Sequence, residues 1–384
     1  MVCCIKRMFN AFVFFFSLPL FASSLQYAVI IDAGSSGSRA HVFQYAKALP
    51  LIPIPIITDV FNKSITPGLS FYKNDPTAAG PSLKPILDAS ALYLQQQGVN
   101  LSQVPISVLA TAGMRLLTPS EQAAIYDSVR SYIHSNYAFS LNDANVRTIT
   151  GQQEGLFGWL DVNYLSKSFI HPAATVGSID MGGASTQIAF ATSDTSQPEN
   201  EVVITINHRP YRVFTQSFLG LGQNQARNAM TAYAYSPTCY PSGYNYPISQ
   251  TGMFNFDPCS AIYTGIIQDH NVAENIISTA GQSFIAYSGI YNNYSFFNIL
   301  QTPTQSALQS QINANCYLSW DQLQIHYPDS LPAFLSNYCA DAVYFDDLLY
   351  NTYQLQGYQL TVTNTINGTG LDWTLGALFY SLIR

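Results

Sequence analysis

The feature that most constrains the fold is a pattern that occurs twice in the chain. A short apolar, strand-like run ends in an aspartate, a Gly/Ser-rich turn follows, and a second apolar run resumes. The first copy is DAGSSGSR, residues 32–39, and the second is DMGGASTQ, residues 180–187. A strand that ends in a Gly/Ser turn is the expected context of a phosphate-binding loop. This weak repeat of architecture predicts two related α/β lobes whose loops face each other across a cleft.

The first loop has the residue types that an anion site needs. Its glycines permit positive φ angles and close approach of the backbone, so that successive N–H groups can point at one anion. Hydroxyl donors and one guanidinium add to these amides. The predicted phosphate-binding residues here are Gly34, Ser35, Ser36, Gly37, Ser38 and Arg39. The alternative is an ordinary hairpin turn, since Gly and Ser dominate turns, but the specific run of eight residues at 32–39 after an apolar strand favours the phosphate loop.

The second loop repeats this chemistry without a cation. Its predicted phosphate-binding residues are Gly182, Gly183 and Ala184. Asp32 and Asp180 each stand where a strand ends, and two carboxylates at a phosphate cleft suit a divalent cation. Because Mg²⁺ keeps several of its waters, we predict that the two aspartates bind the metal directly or through those waters. The alternative is that an aspartate merely caps its own loop.

Glu154 is the candidate for the group that activates water. Hydrolysis of a phosphate requires an in-line water, neutralised charge and a group that orients or deprotonates the water. Glu154 follows a strand-like run, has Gly151 before it and Gly155 after it, and leads into a predicted helix. The alternative is a carboxylate that only stabilises the N-terminus of that helix. Segment 110–115 is a possible third wall, where Thr111 offers a hydroxyl.

The N-terminus has the pattern of an export signal. Lys6 and Arg7 precede an apolar run at residues 8–22, and small residues follow as a cleavage zone. We therefore expect residues 1–24 to be a signal peptide and the mature protein to be secreted, either extracellular or periplasmic. An uncleaved N-terminal anchor is the alternative. No later run reaches the roughly 18 apolar residues of a spanning helix, so we predict no stable membrane span.

Four cysteines follow the predicted signal, namely Cys239, Cys259, Cys316 and Cys339. An even number of cysteines in an exported chain favours two disulfides. Three pairings are possible, and the short loops favour Cys239–Cys259 with Cys316–Cys339.

The charge of the chain argues against a nucleic-acid partner. Its formal net charge is −7, and it has no basic run that would follow a nucleic-acid backbone. If the chain handles phosphates, its anion site must therefore be local, made from backbone amides and single cations.

Five segments of the chain resemble, in order, the conserved regions of the nucleoside triphosphate diphosphohydrolases, also called apyrases. They are DAGSSGSR, ATAGMRLL, ITGQQEGLFGWL, DMGGASTQI and DWTLGAL, which begin at residues 32, 110, 149, 180 and 372. The resemblance spans nearly the whole predicted mature chain. It implies a two-lobed, actin-like (RNase H-like) α/β fold with the active-site cleft between the lobes. It also implies hydrolysis of nucleoside tri- and diphosphates to monophosphates with Mg²⁺ or Ca²⁺.

The resemblance also implies a role for individual residues. Glu154 matches the catalytic base, Ser185 and Gln187 match the groups that hold the attacking water, and Thr111 matches a residue near the terminal phosphate. Asp32 and Asp180 match the acceptors for the waters of the metal.

Two further positions are interpreted from the family pattern. Tyr344 and Tyr350 resemble aromatic residues that stack on the nucleobase, with a role in the core as the alternative in a chain that has 26 tyrosines. Gln153 departs from the pattern, because many members have a second acid immediately before the catalytic glutamate.

We expect a monomer with lobe I at residues 25–160 and 364–384 and lobe II at residues 161–363. An exopolyphosphatase or guanosine-pentaphosphate phosphatase of the same superfamily is the nearest alternative, although the export signal and the Ser-Thr-Gln end of the second loop argue against it. A secreted nucleotide-binding or adhesion protein with an inactive cleft is the other.

Overall fold

The computed structural model describes residues 25–49, 53–170, 174–246 and 250–384. The predicted signal peptide at residues 1–24 lies outside the described residues. The strands are β1 (Gln26–Ala33), β2 (Ser38–Ala46), β3 (Ile56–Ile65), β4 (Pro105–Ala110), β5 (Ser140–Thr148), β6 (Gly177–Met181), β7 (Ser185–Ala191), β8 (Glu201–Ile206), β9 (Arg209–Leu219), β10 (Asn245–Tyr246), β11 (Gln250–Thr251), β12 (Phe284–Ser288), β13 (Leu360–Val362), β14 (Thr365–Ile366) and β15 (Thr369–Gly370).

The α-helices follow the same order along the chain. They are α1 (Ala79–Ser82), α2 (Lys84–Gln96), α3 (Ala112–Arg115), α4 (Pro119–Asn136), α5 (Gly151–Leu165), α6 (Gln223–Met230), α7 (Phe256–Asp269), α8 (Gly289–Phe296), α9 (Gln305–Asn315), α10 (Trp320–His326), α11 (Pro332–Leu335), α12 (Tyr338–Phe345) and α13 (Trp373–Leu382). Among these described helices, none has the length and apolar character needed to cross a membrane.

Two sheets of matching topology form the framework. The first has the strand order β3-β2-β1-β4-β5, and the second has the order β13-β12-β6-β7-β9-β8. In each sheet a strand that ends in an aspartate pairs antiparallel with the strand after its loop and parallel with a later strand, which is β4 for β1 and β12 for β6. The predicted repeat and the two-lobed α/β architecture are thus confirmed, while the predicted limits of the lobes stay a prediction.

Helices α5 and α13 lie between the two sheets. Every residue of α5 from Glu154 to Asn163 is buried, as expected for a helix that has packing partners on all sides. The surrounding cluster combines Ile30 of β1 and Val213 of β9 with Trp159 of α5 and Phe379 of α13. The helix that begins at Glu154 is therefore fixed with respect to both sheets.

Local sequence signals explain where the two longest helices of the first half begin. Thr118 and Thr150 are N-caps whose hydroxyls accept hydrogen bonds from the backbone N–H three residues later, at Glu121 and Gln153. In both cases a side-chain oxygen at that third position accepts a hydrogen bond from the N–H of the capping threonine, which completes a capping box. Gln153, the departure from the family pattern, thus has a structural role at the start of α5.

The second sheet is extended by helices that two disulfides hold together. Cys239 pairs with Cys259 and Cys316 pairs with Cys339, so the pairing favoured by the sequence is confirmed. All four cysteines are buried, in the cluster that also contains α7 and α12. The first disulfide closes the Tyr-rich excursion that follows α6, and the second joins the end of α9 to α12.

Candidate active site

The two Gly/Ser loops face each other across the cleft between the sheets. A Cβ atom placed on Gly183 in the second loop would lie 2.8 Å from the Oγ atom of Ser35 in the first loop. A Cβ atom on Gly113, at the start of α3, would lie 2.7 Å from the Cα atom of Ser35. The structure therefore brings together the two predicted phosphate loops and the segment at 110–115.

The first loop joins β1 to β2 and leaves its backbone amides available. In the described part of the chain, the N–H groups of residues 34–37 have no hydrogen-bond partner. Neither Gly34 nor Gly37 has the positive φ that their sequence suggested. Gly37 is needed for close packing instead, because a Cβ atom there would lie 2.6 Å from the carbonyl oxygen of Ile65. Four free amides in one turn form the concave donor surface that binds an anion.

The second loop is held through its carbonyl groups. Gly182 and Gly183 accept hydrogen bonds from the first N–H groups of α6, and Ala184 accepts one from the N–H of Gly220. The N–H of Gly182 donates to Ser185, whereas the N–H groups of Gly183 and Ala184 have no partner among the described residues. Because these hydrogen bonds hold the carbonyl groups of the loop, the N–H groups of Gly183 and Ala184 remain available to a ligand in the cleft.

Glu154 lies at the centre of a hydrogen-bond cluster at the base of the cleft. Its Oε2 atom accepts from Nη2 of Arg115 at 2.7 Å and from Nε2 of Gln187 at 3.2 Å. The same Arg115 nitrogen donates to Ser185 at 3.0 Å, and Gln187 donates to Ser185 at 2.6 Å and to Ser217 at 2.8 Å. The Oε1 atom of Glu154 has no partner in the described chain and is not among the atoms fully shielded from solvent.

Arg115 links three parts of the site through its guanidinium group. Its second nitrogen donates to the carbonyl oxygen of Ile149, at the end of the strand that leads to α5. Arg115 therefore locks α3, α5 and the second loop together. Ser217 of β9 was not predicted as a site residue, because its contact with Gln187 joins two strands and is visible only in the fold.

Burial and mutual repulsion dominate the electrostatics of the carboxylates. Burial raises the pKa of Glu154, and the positive charge and hydrogen bond of Arg115 oppose that rise. Burial raises the pKa of Asp180 to about 7, and the nearby charges of Glu154 and Asp372 add to the rise. Asp32 also has its pKa raised by burial and by Asp372. Each of these carboxylates would be stabilised in its charged form by a cation in the cleft.

The two aspartates supply carboxylate oxygens, the ligand type that suits a divalent cation. Oδ1 of Asp32 is buried and has no hydrogen-bond partner within the described ranges, so it is an acceptor to which no described group donates. No group of three or more His, Cys, Asp or Glu side chains that could hold a metal occurs among the described residues. Asp32 and Asp180 could therefore hold a divalent ion directly or through its waters, since Mg²⁺ keeps several waters when one or two carboxylates bind it.

Thr111 lies at the beginning of α3, directly beside the first loop. Its N–H donates to the carbonyl oxygen of Ala33, the last residue before that loop, and the residue is only 5% exposed. Ser70, in the short 3-10 helix Leu69–Asn74, also reaches this wall, since a Cβ atom on Gly113 would lie 2.8 Å from its Oγ. Sequence reasoning did not identify Ser70, because its segment comes close only through the fold.

Arg39 and Ser38 leave the first loop in opposite directions. Ser38 is buried at the beginning of β2, whereas the Arg39 side chain is half exposed and its Nη1 donates to Oδ2 of Asp372 at 3.0 Å. Asp372 lies at the N-terminus of α13, so the loop is tied to the helix between the sheets.

The structure corrects the prediction for the nucleobase. Tyr344 is 1% exposed, and its hydroxyl donates to the carbonyl oxygen of Leu221. Tyr350 is 7% exposed and is bonded to the hydroxyl of Tyr294 and the carbonyl oxygen of Pro303. Both rings are packed in the core around α12, so neither face can receive a base, and the alternative core role is the one that the structure supports.

A cleft of about 600 Å³ begins at the first loop and extends along the second sheet's helices. Ser36 lies at its phosphate end, and Asn224 and Arg227 of α6 line its side. Aromatic rings enter it from Tyr291 of α8 and from Phe334 of α11, which is 60% exposed. The cleft therefore combines polar side chains with aromatic rings in its lining.

Comparisons with known proteins agree with this geometry. A model of the GDA1/CD39 (nucleoside phosphatase) family matches residues 20–383. The chain is 26% identical over 405 residues to Probable apyrase 3 of Arabidopsis thaliana, with 94% of this chain and 83% of that protein covered. It is 28% identical over 414 residues to ectonucleoside triphosphate diphosphohydrolase 2 of Mus musculus, with 92% and 81% covered.

Solved structures share the fold. The nucleoside triphosphate hydrolases from Neospora caninum give a TM-score of 0.69 at 16% identity, over 94% of this chain and 92% of that one. A Ppx/GppA family member from Aquifex aeolicus gives 0.57 at 11% identity, over 93% and 98%. At these identities the likeness establishes the two-lobed, actin-like fold and nothing finer.

Proposed function

The chain belongs to the GDA1/CD39 (nucleoside phosphatase) family, and on that premise we propose that it removes the terminal phosphates of nucleotides one at a time. It is a nucleoside triphosphate diphosphohydrolase, and its substrates in this proposal are nucleoside tri- and diphosphates, which it converts stepwise to monophosphates. The observation that carries the proposal is the buried Glu154 with one free carboxylate oxygen, set at the base of a cleft that has free amides on two sides.

Glu154 acts as the general base in this reaction. Its Oε2 is occupied by Arg115 and Gln187, which leaves Oε1 to accept a proton from water. The water oxygen attacks the terminal phosphorus, the bond from phosphorus to the bridging oxygen breaks, and the shortened nucleotide leaves with the bonding electron pair. The proton passes to Glu154, and inorganic phosphate is the second product.

Ser185 and Gln187 hold the attacking water against the phosphate. Both side chains are buried and are bonded to each other and to the cluster around Glu154, so that little conformational entropy is lost when water binds. Thr111 lies on the opposite wall beside the first loop, where its hydroxyl would contact the terminal phosphate.

The charge of the phosphates is neutralised by the loops and by a cation. The free amides of residues 34–37 and of residues 183–184 bind the phosphate oxygens, with Arg39 at the rim. A divalent cation, Mg²⁺ or Ca²⁺, held through its waters by Asp32 and Asp180, would supply additional charge stabilisation when bound.

The nucleobase lies beside the aromatic rings of the adjoining cleft. Phe334 and Tyr291 offer ring faces there, in place of the two buried tyrosines. Stacking on a ring face does not read the edges of a base, so we expect several bases to be accepted.

Export is part of the same proposal. The predicted signal at residues 1–24 and the two disulfides are typical of a protein that matures outside the cytosol. Mass spectrometry of the protein recovered from the host's medium or periplasm tests this, since a mature chain that still contains residues 1–24 contradicts it.

Phosphate release from a substrate panel tests the reaction. Purified mature protein is assayed with ATP, ADP, UDP and long-chain polyphosphate, each with Mg²⁺, with Ca²⁺ and with a chelator. We expect phosphate from the nucleotides only when a divalent ion is present. Hydrolysis of polyphosphate in preference to ATP would support an exopolyphosphatase instead, and binding of ATP without any release of phosphate would support a nucleotide-binding protein.

A further inference from the structure

A second cluster of charged groups lies behind the first phosphate loop, outside the group around Glu154. It centres on His41 of β2, which is 4% exposed. Nδ1 of His41 is hydrogen-bonded to Oδ2 of Asp59 on β3 at 2.8 Å, whereas Nε2 lies 3.3 Å from Oδ2 of Asp372, an ion-pair distance outside hydrogen-bond geometry. The imidazole ring stacks on Phe43 with 5.7 Å between the ring centroids.

Two carboxylates on opposite sides make this histidine a cation. Each ring nitrogen faces a carboxylate oxygen, and a neutral imidazole has only one N–H to donate. Both contacts are favourable only when both nitrogens are protonated. In agreement with this geometry, Asp372 and Asp59 raise the pKa of His41 to about 10 in spite of its burial.

His41 shares its partner with Arg39. Both residues lie on β2 two positions apart, so their side chains project from the same face of the strand. Both reach Oδ2 of Asp372, Arg39 at 3.0 Å and His41 at 3.3 Å. The same oxygen atom of Asp372 therefore contacts both cations, Arg39 and His41.

Asp372 is a fixed point for these cations. Its side chain caps α13 by accepting from the N–H of Thr374, and its own N–H donates to Asp161 of α5. Although burial alone would raise the pKa of Asp372, His41 and Arg39 outweigh that effect and hold it well below its usual range. Asp372 therefore remains a carboxylate, held in place by both helices between the sheets.

We propose that His41, an imidazolium held between Asp59 and Asp372, is a positioning residue that keeps the guanidinium of Arg39 directed at the phosphates of the substrate. This deepens the proposed function, because it rests on phosphate binding by Arg39. Without the charge of His41, Arg39 is the one described cation that contacts Asp372. Arg39 is then attracted more strongly to that carboxylate and is less available to bind phosphate. The Arg39 side chain is 49% exposed, so it is accessible to a ligand while it contacts Asp372.

A double-mutant cycle between His41 and Arg39 tests the proposal. The KM for ATP and the inhibition constant of inorganic phosphate are measured for the parent protein, His41→Gln, Arg39→Gln and the double variant. We expect His41→Gln to raise both constants about tenfold, the size expected when one charged hydrogen bond is lost, and to change kcat by less than about threefold. In the Arg39→Gln background the same substitution should change either constant by less than about twofold.

The outcomes separate a positioning role from a structural one. If His41→Gln acts by the same factor in both backgrounds, or lowers kcat without changing the inhibition by phosphate, the proposal is overturned. If the parent protein hydrolyses ATP but the effects of the two substitutions are additive, only this inference is refuted. If the parent protein neither hydrolyses ATP nor binds phosphate, the proposed function itself is refuted.

A charge-balanced variant protects the test against misfolding. If His41→Gln does not fold, the cycle is repeated with His41→Gln and Asp59→Asn together, which remove one positive and one negative charge from the same buried pair. Asp59→Asn alone is measured beside it. Because this change removes one of the two carboxylates that hold His41 as a cation, it should raise both constants in the same direction as His41→Gln and by a smaller factor. If neither His41 variant folds, the residue acts in folding and the proposal is overturned.

Discussion

Substitution of Gly376 by alanine tests the packing that holds Glu154 in place. Gly376 lies on α13, where that helix crosses α5. A Cβ atom at this position would lie 1.9 Å from the carbonyl oxygen of Phe157 and 3.0 Å from the backbone nitrogen of Asp161. These are backbone atoms of α5, so no side-chain rotation can relieve the contact.

The size of the effect follows from these distances. A carbon atom and a carbonyl oxygen normally stay at least roughly 3.3 Å apart, so the helices must separate by roughly 1.4 Å. A gap of about 0.5–1 Å already removes a quarter to a half of the dispersion energy between packed atoms. Overpacking of this kind costs about 3 kcal/mol, and the better helix propensity of alanine returns about 1 kcal/mol. We expect a net loss of about 2 kcal/mol in the free energy of unfolding.

Thermal or urea unfolding of the variant measures this loss, and the turnover of ATP reports its consequence at the site. Because α5 carries Glu154 and α13 begins at Asp372, turnover should fall together with stability. Gly370→Ala is the matched control, since a Cβ atom there meets nothing within 4 Å, and we expect a change within about 0.5 kcal/mol. If Gly376→Ala is as stable and as active as Gly370→Ala, the reasoning about the helix crossing is refuted.

Three further predictions concern the site and its surroundings. Arg115→Gln removes the cation that opposes the raised pKa of Glu154, so the acidic limb of the pH profile of kcat should move to higher pH; an unchanged limb in stopped assays across pH would contradict the assignment of Glu154 as base. Replacement of Cys316 and Cys339 by serine opens a loop of 23 residues and should lower the free energy of unfolding by about 3 kcal/mol in urea titrations. A loss below about 0.5 kcal/mol would show that the disulfide does not stabilise the fold measurably. Phe334→Ala should raise the KM for nucleotides several-fold, because stacking of the base on this ring contributes about 1–3 kcal/mol, while hydrolysis of tripolyphosphate stays unchanged. Equal effects on both substrates would show that the base does not bind in this part of the cleft.

The sequence predicted the parts of the site that depend on local pattern. Strand, aspartate and Gly/Ser turn are contiguous in the chain, so the loops at Asp32 and Asp180 were identified from residue types alone. Short spacing likewise favoured the disulfide pairing that the structure has. The free amides of the first loop were also expected, although the glycines provide them by close packing and not by a positive φ.

The parts that depend on distant contacts were not predictable. Ser217 and Ser70 join the site from β9 and from a short helix, and the site residues that they approach lie far from them in the sequence. The same limit explains the failed prediction for Tyr344 and Tyr350. An aromatic residue on a helix has the same local pattern whether its ring faces a ligand or a neighbouring helix, and only burial separates the two roles.

His41 shows the same limit for electrostatics. One histidine in a strand carries no signal of charge, whereas two carboxylates from β3 and from the start of α13 make it a cation. The motif that contains Asp372 was identified by its resemblance to the family, but its link to Arg39 required the fold, because the two residues are 333 positions apart.

Turnover of ATP by Glu154→Gln tests the central claim most directly. The amide is nearly isosteric and still offers an oxygen to Arg115, but it cannot accept a proton from water. With purified mature protein, Mg²⁺ and saturating ATP, we predict that kcat falls by about 10²–10⁴-fold, while binding of a non-hydrolysable ATP analogue and the thermal midpoint change little. Turnover within about threefold of the parent protein, with the fold and nucleotide binding intact, would contradict the assignment of Glu154 as the base that activates water.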